Sequence, residues 1–278
     1  MGDYASGVLK VDVRDGVAFT RIDAPPMNLL GPALIGALEA FTRDVAEDDD
    51  VRVVVLKSAD PDFFIAHGDV EGILTMPEGG PAQIATEPSF VHIAIDRLRT
   101  LPKVTIAQVE GFARGGGSEV ALSCDMRFAA KGRAVFGQPE IGLGILPGAG
   151  GTVRLMRLLG RAHACEVILG GDDFDAVEAE RIGWVNRALA PDQIDDFVSR
   201  LAFRIARFPA ATIAEIKRTL CALEGTLLDE LVVEQNAFNR LMAGPEPHPR
   251  MRSFIEQGSQ TREGEQTLGA DLVELTDR

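Results

Sequence analysis

The chain has 278 residues, 46% hydrophobic and 25% charged, a balance that fits a folded globular protein and excludes disorder of the whole chain. Its 28 Lys and Arg against 42 Asp and Glu leave a net charge of −14, which repels phosphate backbones and anionic lipid and argues against nucleic acid or membrane as a partner. No apolar run approaches the ~18 residues of a membrane span, Met1–Ser6 has no basic-then-apolar leader, and Cys124, Cys165 and Cys221 form neither a CxxC pair nor a metal spacing, so a reducing, cytoplasmic setting is expected.

Val8 to Val13 alternates apolar and polar residues, and Val17–Ile22 follows after a turn at Gly16; both read as strands. Leu34, Leu38, Phe41 and Val45 recur at helical spacing, predicting an amphipathic helix over 32–46 that ends at the acidic run Glu47–Asp50. That run reads as a solvated loop. Val51–Leu56 is nearly all β-branched, as in a strand covered on both faces. A helix carrying Phe90, Ile93, Ala94 and Leu98 leads to a strand at 104–109. A further helix opens at the glycines 115–117, and 126–130 is again a strand. From about residue 150 the periodicity is helical, and the residues from Gly258 read as a frayed polar tail. The front part thus repeats strand, strand, helix at intervals of about fifty residues, the mark of stacked units sharing one core.

Two stretches carry chemistry. Gly115-Gly116-Gly117 lies between a strand and a helix. Glycines there let a backbone approach a ligand, and the helix start offers unpaired N–H groups to an anion or a developing oxyanion. Ser118-Glu119 follows instead of the Lys-Ser/Thr of a phosphate loop, and the dinucleotide GxGxxG spacing is absent. An oxyanion hole beside an acid/base carboxylate and simple tight packing both fit. Glu140 stands in the apolar, glycine-rich run 136–152. Burial there would raise its pKa and suit it to acid–base work; a turn carboxylate at the surface is the plainer alternative.

Three motifs together resemble the crotonase (enoyl-CoA hydratase/isomerase) superfamily over about Val17–Gln257: Phe64-Ile65-Ala66-His67-Gly68-Asp69-Val70, then Gly111–Glu119 with Cys124-Asp125, then Phe136–Glu140 through Pro147–Gly151. The resemblance implies an α/β fold, a spiral of ββα repeats over 1–205 carrying the active site. A C-terminal helical trimerisation region would span 206–257, before the tail at 258–278. It implies an acyl-CoA thioester substrate and no separate cofactor or metal, coenzyme A being part of the substrate. A homotrimer or hexamer is expected, and the apolar stripes of the helices at 211–222 and 226–241, Leu227, Leu231, Phe238 and Leu241 among them, suit its subunit interface. By position, Gly68 and Gly116 match the oxyanion-hole donors and Glu119 and Glu140 the two hydratase glutamates. Gly148 matches a turn that positions water, and Met27, Ala66, Asp69 and Val70, with His67 among them, match residues lining the adenine pocket. Enoyl-CoA hydration is the reaction implied; enoyl-CoA isomerisation with one of the same glutamates, or a weakly catalytic acyl-CoA-binding scaffold, are the alternatives.

The sequence departs from the pattern at named places. His67 replaces a glycine, which predicts a reshaped loop or a ring turned to solvent. Glu71, Gln257 and Gly258 stand where basic residues are usual, and Met242 where an aromatic is usual. On a chain of −14 these changes predict weaker, salt-sensitive binding of coenzyme A, with Arg250 and Arg252 as the available substitutes.

Overall fold

A computed structural model describes Tyr4, residues 7–269 and residues 272–273. The rest of the Met1–Ser6 stretch, with residues 270, 271 and 274–278 of the tail, lies outside the described residues. The strands are β1 (Leu9–Arg14), β2 (Val17–Ile22), β3 (Val53–Ser58), β4 (Phe63–Ile65), β5 (Val104–Val109), β6 (Phe112–Arg114), β7 (Met126–Ala130), β8 (Val135–Gly137), β9 (Phe174–Asp175) and β10 (Arg187–Leu189). The helices are α1 (Pro32–Ala46), α2 (Val70–Ile73), α3 (Phe90–Thr100), α4 (Gly116–Leu122), α5 (Gly151–Gly170), α6 (Ala176–Arg181), α7 (Ile194–Ala206), α8 (Ala210–Glu224), α9 (Leu228–Met242) and α10 (Pro247–Glu256).

Two sheets organise the front of the chain. One has the order β1-β2-β3-β5-β7-β10 and the other β4-β6-β8-β9. Each passage of the chain places one strand in the first sheet and the next in the second: β3 then β4, β5 then β6, β7 then β8. Neighbouring turns pair in parallel, with Val55 opposite both Phe19 and Ile106 in the first sheet, and Phe112 opposite both Phe63 and Val135 in the second. This is the expected spiral of ββα units.

The period of two explains the run at β3. Val53 and Val55 join Phe19, Ile106 and Phe128 against Ile194, Val198 and Ala202 of α7. Val54 and Leu56 face the other way, into the core shared with the second sheet, α1 and α3. All four are buried, and each such side chain contributes roughly 1.5–3 kcal/mol relative to exposure.

Several expectations are corrected. Past residue 150 the chain is almost entirely helical, as expected, with two short exceptions: β9 pairs antiparallel to β8, and β10 adds an edge to the first sheet beside β7. Strands of two or three residues are too short to show a period. On α3, Phe90 and Ile93 are exposed, and the buried face is His92, Ala94, Ile95, Asp96 and Leu98. The polar tail does not simply fray. Ser259, Glu265, Leu268 and Leu272 are buried, the two leucines in a cluster with Val70, Leu143, Met251 and Phe254. Those leucines are spaced four apart among polar residues, a stripe too short to stand out from the composition around it.

Candidate active site

The site forms where the strand-to-helix turn of β6–α4 meets the turn after β8 and the start of α5. Each glycine of the triplet has its own steric reason. Gly115 has φ +45°, and a side chain there would collide with Glu140 Oε1. A Cβ on Gly116 would lie 2.7 Å from Leu30 Cδ2 and 3.2 Å from the Gly68 nitrogen. One on Gly117 would strike the Ile65 carbonyl oxygen. Tight packing and close backbone approach therefore coexist: the first, plainer alternative accounts for Gly117, and the second for the other two. The N–H groups of Gly68 and Gly116 are thereby neighbours, and neither donates a hydrogen bond to another described residue.

Glu119 sits in the first turn of α4 and is 2% exposed. Its Oε1 accepts the N–H groups of Ala149 (2.7 Å) and Gly151 (2.7 Å), at the start of α5. Burial, and next the charge of Glu234, push its pKa up to about 7, although those two N–H groups and Arg154 pull the other way. Glu140 lies in a 3₁₀ turn, Pro139–Leu143. Its Oε2 is buried without a hydrogen-bond partner among the described residues, as are both side-chain polar atoms of Gln138. Burial first, and the Glu119 charge second, hold Glu140 well above the ordinary carboxylate range. So the surface-turn alternative for this residue does not hold at the carboxyl group itself. One carboxylate is fixed by two peptide donors at the start of α5, and the other is desolvated with one oxygen lacking a partner among the described residues, a division of environments that separates a base from an acid.

Gly148 leads into the same turn, where a Cβ would meet the Phe238 ring at 2.8 Å. Met27 and Ala66 are buried together with Phe63, and Val70 is buried in the cluster that holds Leu268. Asp69 precedes α2 and its Oδ1 accepts the Gln260 side-chain N–H at 3.3 Å. His67 is neither turned to solvent nor in the left-handed region. It is buried, with Nε2 2.8 Å from Glu265 Oε1 and Nδ1 2.6 Å from the Gly68 carbonyl oxygen. Burial alone would lower its pKa, but Glu265 more than offsets this and the net shift is upward. Met242 is likewise buried, and Arg250 and Arg252 pair with Glu246 (3.3 Å) and Glu78 (3.2 Å).

Two participants were not legible in the sequence. Glu234, on α9, is buried and accepts N–H groups from Gly150 (2.6 Å) and Val153 (3.1 Å), and lies 3.1 Å from His92 Nε2. It thus holds the alternate donors of the turn that holds Glu119. Arg154, also buried, binds Asp96 at 2.9 Å beneath them. Helical spacing marks neither, since each occupies a core position that a leucine could fill. One large cleft, about 650 Å³, runs from Arg154 out to Arg99, Arg127, Lys217 and Leu220, and a second, about 660 Å³, lies among Phe197, Phe203 and Phe208 on and after α7.

Known proteins resemble this chain in sequence and fold. Residues 12–264 match the family model described as enoyl-CoA hydratase/isomerase. A Rhizobium meliloti protein named "Probable enoyl-CoA hydratase" is 36% identical over 252 residues, 89% of this chain and 94% of that one. A "Short-chain-enoyl-CoA hydratase" of Clostridium acetobutylicum is 33% identical, covering 87% of this chain and 92% of its own. A crystal structure of a Streptomyces avermitilis protein assigned as an enoyl-CoA hydratase superposes with a TM-score of 0.90 at 36% identity, over 99% of this chain and 100% of the other. A match across nine-tenths of the chain, on the same spiral, leaves one reading: the chain belongs to the enoyl-CoA hydratase/isomerase family.

Proposed function

We propose that the protein adds water across the 2,3 double bond of an enoyl-CoA thioester. The observation that carries this reading is the pairing of two buried carboxylates, Glu119 and Glu140, both held above the ordinary range, beside two unpaired backbone N–H groups. Glu119, anchored by peptide donors, takes a proton from water as its oxygen bonds to C3. The C2–C3 π pair moves toward the thioester carbonyl, whose oxygen gains charge and is held by the N–H groups of Gly68 and Gly116. Glu140, kept protonated by its surroundings, delivers a proton to C2, and the carbonyl reforms. The two carboxyl groups exchange their protonation states in one cycle, and solvent resets them. The turn at Gly148 borders the place where the water would stand.

The test is a panel of 2,3-enoyl-CoA and 3,4-enoyl-CoA thioesters of rising chain length, followed at the enoyl absorbance. Hydration removes absorbance from the 2,3-enoyl set. Absorbance gained from the 3,4-enoyl set, with none lost from the 2,3-enoyl set, would instead make the protein an isomerase. The same reading includes an assembly of three or six copies. Of the apolar stripe Leu227, Leu231, Phe238 and Leu241, the first three are buried within the chain's own fold and Leu241 is exposed. Among the other uncovered apolar residues are Ile216, Leu220 and Leu223 on α8, 55%, 60% and 80% exposed, and these support a subunit interface.

A further inference from the structure

The Gly68 N–H serves the hydration reading only if its peptide plane is fixed. On one side Leu30 does this: its N–H donates to the His67 carbonyl (2.8 Å) and its carbonyl accepts the Asp69 N–H (3.2 Å). On the other side the His67 ring holds the Gly68 carbonyl, and the restraints on that ring and on Asp69 and Val70 include several from the tail. Gln260 accepts the Val70 N–H at 2.8 Å and donates to Asp69 Oδ1 at 3.3 Å. Glu265 takes the His67 ring at 2.8 Å and the Gln260 N–H at 3.0 Å. Arg114, buried at the end of β6 just before Gly115, donates to the Glu265 carbonyl at 2.7 Å and is itself held by Asp173 at 2.6 Å.

The ring makes this arrangement specific. Nδ1 faces a carbonyl oxygen, which only accepts, and Nε2 faces a carboxylate already accepting a peptide N–H. Both nitrogens must therefore donate, and the ring is an imidazolium. The charges around it balance: His67 and Arg114 against Glu265 and Asp173, with the Phe254 ring edge-on at 5.8 Å between centroids. Glu265 is completely buried, so the network has no reason to form at the surface of a loose tail.

We propose that residues 258–268 form a positioning strap for the oxyanion hole, with Glu265 acting through His67 and Gln260 acting through Asp69 and Val70 to set the Gly68 peptide. The inference rests on the hydration reading for what Gly68 does, but not for where it is held. Both strap residues act through other residues, not on the Gly68 N–H itself. Their removal lets the donor drift, and a drift of about an ångström costs on the order of 10²-fold in rate.

The experiment compares Gln260→Ala, Glu265→Ala and Glu265→Gln with the wild-type chain, by two readouts. The first is hydration, where both Ala variants are expected to lose 10- to 100-fold in kcat with KM changed less than about threefold, and Glu265→Gln to recover most of the loss. The second is the near-ultraviolet enolate band of bound acetoacetyl-CoA, a β-ketothioester that cannot be hydrated, and whose enolate oxygen needs the same two donors. The band is expected to fade in the Ala variants while affinity for free coenzyme A stays within about threefold. If Glu265→Ala does not fold, Gln260→Ala, half-exposed and outside the core, decides. A band unchanged in the Ala variants overturns the strap whatever the turnover. A wild-type band that the Ala variants weaken, in a protein that hydrates nothing, supports the strap and refutes the hydration reading.

Discussion

Replacing Glu119 by Gln should cost the enzyme its rate and give the fold stability, and the second effect can be worked from the structure. In the folded chain the Glu119 pKa stands at about 7, against an ordinary 4.5. The folded state therefore binds this proton more tightly than the unfolded state does. The associated stability is complete below about pH 4.5 and is lost as pH rises through about 7. At about 1.4 kcal/mol per unit, the loss approaches ~3 kcal/mol at pH 8. A glutamine cannot ionise, so it escapes that loss. Its carbonyl still accepts from Ala149 and Gly151, and its extra donor costs about 1 kcal/mol if left unpaired. That cost is the same at every pH and cancels in a difference. Urea unfolding at pH 5 and pH 8, at one fixed protein concentration, should show the Gln variant gaining ~2–3 kcal/mol relative to wild type between the two. Turnover of an enoyl-CoA should fall 10²- to 10⁴-fold in the same variant. A stability difference that is identical at the two pH values would show that folding leaves the Glu119 proton affinity unchanged, and the electrostatic account of the site would be wrong.

Glu140→Gln should lower kcat by about 10²–10⁴-fold with KM nearly unchanged, and steady-state rates at wild-type level would remove it as the acid. Glu234→Gln should move the acid limb of the kcat/KM profile to lower pH, since the Glu234 charge is the second largest cause raising the Glu119 pKa; an unmoved limb would sever that link. Leu220→Asp with Leu223→Asp should convert a trimer or hexamer to monomers in sedimentation velocity, and a monomeric wild type would refute the interface. Gln257→Lys should lower KM for a CoA thioester at low salt and leave kcat alone, a benefit of about 0–1 kcal/mol that fades at higher salt; no change at low salt would mean that other cations already hold the phosphates.

The strands that bury both faces were legible because Val53–Leu56 has no polar residue to place in solvent, and the helix at 32–46 because its apolar residues repeat with the turn. The order of strands in the two sheets was not, since apart from the β1–β2 hairpin it depends on pairings between residues from 20 apart (Ile106 and Met126) to 59 apart (Phe128 and Arg187). Within the site, Glu119 and Glu140 could be picked out because glycines crowd them, and glycines mark places where backbone must come close. His67, Glu234 and Glu265 carry no such mark. His67 meets a partner 198 residues away, and Glu234 one 142 residues away on α3. A buried ion pair is a property of the fold, and neither half of it disturbs local periodicity. The apolar stripe on α9 misled for the converse reason: periodicity tells that a face is covered, without telling whether the same chain or another copy covers it.

The turn at 149–153 offers its N–H groups alternately, to a carboxylate from α4 and to one from α9. Two segments more than a hundred residues apart are thereby laced through a single loop. Cutting the chain after the spiral would leave Gly150 and Val153 without their acceptor and His92 without its partner, so the loop that grips Glu119 would lose half its lacing. A fragment ending near residue 205 should then keep both glutamates and be a poor catalyst. Recombining it with the separate C-terminal piece, which carries Glu234 as well as Gln260 and Glu265, offers a way to switch activity on by association.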